Sequence, residues 1–70
     1  MTGKMTREEI LNQKLAVLWE EHRDLDVAII SIEAMPNPDR LTIQRLKKKK
    51  LALKDQISLI EDDLTPDIIA

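Results

Sequence analysis

Cysteine is absent from this 70-residue chain, and histidine occurs once, at His22. A disulfide framework is therefore excluded, and so is a zinc staple of the usual Cys/His kind. Glycine occurs only at Gly3, so there is no glycine-rich loop to cradle a phosphate. Aromatic side chains are reduced to Trp19, with neither Phe nor Tyr. No apolar run approaches the ~18 residues of a membrane span, and Met1 to Ile10 holds no apolar stretch of the signal-peptide kind. The expectation is a cytoplasmic protein in a reducing compartment. A chain this short rarely builds a sufficient core without disulfides, metal or partners, so oligomerisation is the default.

Charge is what the chain has in abundance. Charged residues make up 34% of it, a composition suited to long helices or a coiled coil. The net charge of −2 is a sum over three unlike blocks. Residues 1–35 carry 4 basic and 7 acidic side chains, residues 36–54 carry 7 basic and 1 acidic, and residues 55–70 carry 5 acidic and none basic. A basic centre flanked by acid on both sides favours internal pairing over a nucleic-acid surface.

Thr6-Arg7-Glu8-Glu9 has the form of a capping box, with Thr6 as N-cap and Glu9 at the third helical position. Apolar residues then recur at Leu11, Leu15, Leu18, Leu25, Ile29 and Ile32, with His22 in the missing slot. This alternation of four and three is a heptad seam. Met35-Pro36-Asn37-Pro38 ends the helix. Residues before proline are pushed out of the α region, which makes Asn37 the expected cap of a second helix with Pro38 at its first position. A second seam follows through Ile43, Leu46, Lys50, Leu53, Ile57, Ile60 and Leu64, and Thr65-Pro66 stops it. The expected organisation is one domain over 1–70: helix 1 about 6–34, a turn at 35–37, helix 2 about 38–64 and a tail at 65–70.

A turn this short makes the helices antiparallel neighbours, and the register is testable from the sequence. Pairing the seams gives Leu15/Ile57, Leu18/Leu53, His22/Lys50, Leu25/Leu46 and Ile29/Ile43, with residue numbers summing to 71 or 72. The two polar seam residues, His22 and Lys50, meet on one level as a structural polar layer, which leaves two outcomes open: a neutral imidazole accepts a hydrogen bond from the Lys50 ammonium, or the lysine snorkels outward. Beside the seam the same register pairs Glu33 with Arg40, Asp26 with Lys47, Glu21 with Lys49 and Arg7 with Asp63, and sets Lys54 against Trp19. The fold class expected is all-α, an antiparallel two-helix hairpin of coiled-coil type that assembles into a helical bundle. The four lysines at 47–50 fan out by about 100° each, so they form no single basic stripe.

The stretches "EEHRDLDVAI" at 20–29 and "IQRLKKKKLALKDQI" at 43–57 resemble the YdcH-like family of small bacterial proteins of unknown function. The resemblance is carried by Leu18, His22 and Leu25, then by Leu46, Lys47, Lys50, Leu51, Leu53, Lys54 and Asp55, and spans roughly residues 11–60. It implies a helical hairpin in a bacterial cytoplasm, with no activity, substrate or catalytic residue to carry over. The turn "MPNPD" departs from looser family versions only in the connection.

No catalytic constellation is visible. Ser31 and Ser58 have no histidine near them in the expected hairpin, and His22 with Asp26 and Glu21 provides one anchored nitrogen, too little for a metal centre. No cofactor, metal, small-molecule substrate or membrane contact is expected. An off-seam apolar set remains: Ile10, Val17, Val27 and Ile30 on helix 1, and Leu41, Leu51 and Leu59 on helix 2. It is the candidate face for self-association or for docking on another helical protein. The alternative is weak nucleic-acid binding, in which Arg45, Lys48 and Lys49 contact phosphates without a base-reading module.

Overall fold

A computed structural model describes residues 5–65, and it shows an antiparallel hairpin of two helices, α1 (Arg7–Glu33) and α2 (Arg40–Leu64). The expected tail lies outside the described residues from Pro66 onward. At 27 and 25 residues the helices are each about 40 Å long at 1.5 Å per residue. Neither contains glycine or proline, so nothing interrupts the ladder of backbone bonds.

The start of α1 is fixed by a reciprocal pair of bonds. The Glu9 amide donates to Thr6 Oγ1 at 3.1 Å, and the Thr6 amide donates to Glu9 Oε1 at 2.9 Å. Two of the donors that a helix start leaves without partners are thereby satisfied. At the other end the Ala34 amide still donates to Ile30 O, and the Met35 amide tightens onto Ile32 O, both at 3.1 Å.

The cap of α2 differs from the expected one. Asp39, not Asn37, occupies the N-cap, and the helix starts at Arg40 instead of Pro38. Asp39 Oδ1 accepts from the Leu41 and Thr42 amides at 3.1 and 3.2 Å, and Oδ2 accepts from the Thr42 hydroxyl at 2.9 Å. A carboxylate satisfies three donors here and places negative charge at the positive end of the helix, neither of which a neutral Asn37 offers. Pro38 is left in the connection, half-buried.

Every position of the two seams is buried or half-buried, the polar pair His22 and Lys50 included. Only Ile29, Ile43 and Ile57 are buried outright, at 4%, 9% and 0% exposure. Ile29 and Ile43 anchor the turn end and Ile57 the far half, so the core is a line of contacts with no enclosed centre. Ile57→Ala removes the best-packed side chain and is expected to lower stability by about 2–5 kcal/mol, the range for large-to-small core changes. Urea unfolding followed by circular dichroism at one fixed protein concentration measures this. A variant as stable as the parent would place the core elsewhere.

Candidate interaction surfaces

Beside the seam run two flanks, and the structure treats them differently. On the first, Lys50 Nζ lies 2.6 Å from Asp26 Oδ1, and Lys47 Nζ lies 3.4 Å from Glu33 Oε2. Lys54 Nζ sits 5.0 Å from the centre of the Trp19 ring, within cation–π range. Trp19 in turn meets the His22 ring edge-on, at 5.4 Å between centroids and 76° between planes. This flank is therefore bridged from helix to helix at three levels.

Two of these pairings correct the expected ones. Asp26 takes Lys50 in place of Lys47, and Glu33 takes Lys47 in place of Arg40. The cause is the position of Lys50. Its stem lies in the half-buried seam, and leaving the ammonium there without a carboxylate is costly, so the head reaches outward to the acid on the flank. Lys47, displaced from Asp26, turns toward Glu33, seven residues or about two helical turns along α1. His22 and Lys50 are both half-buried, but His22 packs on Trp19 while the Lys50 ammonium hydrogen-bonds to Asp26. The position of Asp26, one turn beyond His22 on the flank facing α2, was the sequence signal for this pairing.

The second flank is an open groove. One part is lined by Glu21, Asp24, Leu25, Lys49, Ala52, Leu53 and Gln56. The adjoining part shares Gln56 and contains Ile10, Gln13, Lys14, Val17, Leu18, Leu59 and Ile60. Arg7 bridges to Asp63 at its far end, an exposed pair of little energetic weight. Glu21 and Lys49, expected to pair, line the same groove but are not among the ion pairs formed by the described residues.

The candidate self-association residues Ile10, Val17, Val27, Ile30, Leu41, Leu51 and Leu59 are all exposed, from 44% at Ile10 to 69% at Leu59. They do not share one face. Ile10, Val17 and Leu59 come together in the open groove. Leu41 and Leu51 lie together on the outer side of α2, around Arg45, Lys47 and Lys48. Val27 and Ile30 line neither surface. The candidate phosphate contacts are divided too: Arg45 and Lys48 share that outer patch, while Lys49 faces the groove beside Glu21 and Asp24. Among the described residues no group of three or more potential metal ligands is assembled, and no helix is long and apolar enough to cross a membrane.

Two carboxylates are shifted by these contacts. The Lys50 ammonium holds Asp26 below the usual carboxylate range, mainly by its hydrogen bond and then by its charge. The hydroxyl and amide of Thr42 do the same for Asp39. A depressed folded-state value means that the unfolded chain binds the proton more readily. The stabilisation is therefore complete above the unfolded value near 3.9 and is lost as pH falls through the lower folded values. Thermal melts should thus vary little with these two groups above about pH 5 and fall in the acid limb below about pH 4. Combining Asp26→Asn with Asp39→Asn should make that limb shallower. An unchanged acid limb in the double variant would mean that other groups govern it.

Residues 15–61 match the family model DUF465, described as a protein of unknown function, in agreement with the YdcH-like resemblance. Neither a curated protein nor a solved structure matches the chain.

Proposed function

The chain belongs to the DUF465 family, and we propose that its hairpin is a non-catalytic interaction module that associates with copies of itself or docks on another helical protein. The observation that carries this reading is the balance of apolar side chains. Among the described residues three are buried outright, all isoleucine, while seven aliphatic residues off the seam stand exposed on helices that one seam must hold. Isolated exposed apolar residues such as Val27 and Ile30 are ordinary, but Ile10, Val17 and Leu59 gather in the groove and Leu41 and Leu51 on the outer side of α2. Such clusters in a domain this small mark surfaces that are covered in use. A bacterial cytoplasm is the setting we propose, supported by the family resemblance and by the absence of cysteine.

Light scattering at micromolar concentration should give a mass at least twice the 8.1 kDa of the chain. Helicity should fall on dilution, because assembly and folding are then linked. A fully helical monomer that persists at nanomolar concentration would remove the self-association half of this reading.

A second reading draws on the outer patch of α2, where Arg45 and Lys48 lie beside Leu41 and Leu51 and are outside the ion pairs of the described residues. Two cations provide weak phosphate contact of no sequence preference. Retention on DNA or RNA is expected at low salt and should vanish near physiological salt. Arg45→Glu combined with Lys48→Glu should abolish it and leave the oligomer intact. Salt-resistant binding to one sequence would raise this reading above the first.

A further inference from the structure

The two flanks of the seam differ in what they leave unpaired. On the bridged flank Lys47 is held by Glu33 and Lys50 by Asp26, which ties the helices together there, while Arg40 beside Glu33 and Glu20 and Arg23 beside Trp19 are outside the ion pairs of the described residues. In the open groove Glu21 and Asp24 of α1 and Lys49 of α2 are exposed and outside the ion pairs of the described residues. The same groove continues into a patch where Ile10, Val17 and Leu59 lie beside Gln13 and Lys14 of α1. One flank is thus closed by cross-helix bridges, while in the open one the acids Glu21 and Asp24 of α1 share the groove with Lys49 of α2, next to uncovered aliphatic surface.

We propose that a second copy of this chain fills the open groove about a twofold axis parallel to the helices, so that α1 of each hairpin lies over α2 of the other. The inference rests on the self-association reading and commits it to one face and one arrangement. Charge complementarity carries it. A twofold axis along the helices keeps each residue at its own level and exchanges the two helices. On the groove flank the level is marked by Arg7 and Asp63, whose numbers sum to 70. At that register Glu21 of one copy lies over Lys49 of the second, and symmetry repeats the contact. Asp24, one turn along α1 from Glu21, reaches the same cation. Ile10 lies over Leu59 of the second copy, and Val17 over the small Ala52.

The competing arrangement has its axis across the helices and lays α1 antiparallel on α1. Centred on Val17, it brings Ile10 onto Asp24 and so sets an aliphatic side chain against a carboxylate that then loses water. Centred between Gln13 and Lys14, it brings Ile10 onto Val17 but sets Glu21 against Thr6, with no cation for its charge. Like-with-like matching of apolar surface and opposite charge selects the first arrangement. An interface that uses the same patch on both copies closes at two.

The test is a charge exchange between chains, read as mass by sedimentation equilibrium on the full chain. The parent should give twice 8.1 kDa at micromolar concentration. Glu21→Lys alone sets cation on cation at both symmetric contacts, and Lys49→Glu alone sets acid on acid. Each is expected to weaken the dimer roughly tenfold or more, since like charges across an interface are strongly disfavoured. An equal mixture of the two variants has opposite charges at both contacts of the mixed dimer, so it should regain the parent's association. Repair within one chain cannot produce that rescue, because each chain has only one substitution. If a single variant loses its fold, recovery of helicity and dimer mass on mixing reads out the same rescue. A parent that stays monomeric overturns both this arrangement and self-association. Single variants as dimeric as the parent leave self-association standing and overturn the groove. Weakened variants that mixing fails to rescue overturn the arrangement.

Discussion

Two helices side by side touch along one stripe, and that geometry governs everything else in this hairpin. A side chain is shielded from water only where it points into the stripe and finds a large partner opposite. Ile29, Ile43 and Ile57 meet that condition fully, and the other seam residues meet it in part. With no cysteine and no assembled metal group among the described residues to help, ends and flanks matter more than in a larger domain. Hence the weight of the caps at Thr6 and Asp39, and of the cross-helix contacts that fix the register of one helix on the other.

The seam was legible because its signal is redundant. Fourteen positions follow one alternation of four and three, and an error of one residue would have turned several apolar side chains to water. The capping box at Thr6 was legible because it is local and reciprocal, each partner naming the other. The second cap was not. Asn37 and Asp39 are both good capping residues, and the fixed backbone of Pro38 argued for the first. What decides is the number of donors each can satisfy, and the Thr42 hydroxyl that tips the count toward Asp39 belongs to the helix being capped.

Charge pairing was legible to the flank and not to the turn. A lysine and a carboxylate side chain together reach over more than one turn of about 5.4 Å, so a carboxylate one or two turns up or down competes for the same cation. The choice then depends on which ammonium most needs a partner. Lys50, with its stem in the seam, outranks the more exposed Lys47 for Asp26, and the displacement of Lys47 to Glu33 follows. Off-seam apolar residues posed a similar problem. Their exposure follows from the heptad, but positions away from the seam cover more than half the helix circumference. Periodicity alone does not sort Leu59 into the groove and Leu51 onto the outer side of α2.

The four lysines in a row end with four different surroundings: a carboxylate across the seam for Lys47, the outer patch for Lys48, the open groove for Lys49 and the half-buried layer for Lys50. Their division is what makes the flanks unequal. Two of the four cations bridge the helices on one side, and those bridges close the seam there. The third is left facing Glu21 and Asp24 on the other side, next to the aliphatic patch that water covers poorly. A hairpin with two equivalent open flanks would add copies on both and grow into a filament or a ring. Internal pairing along a single flank removes one of those directions, and association confined to the remaining one ends when the groove is filled.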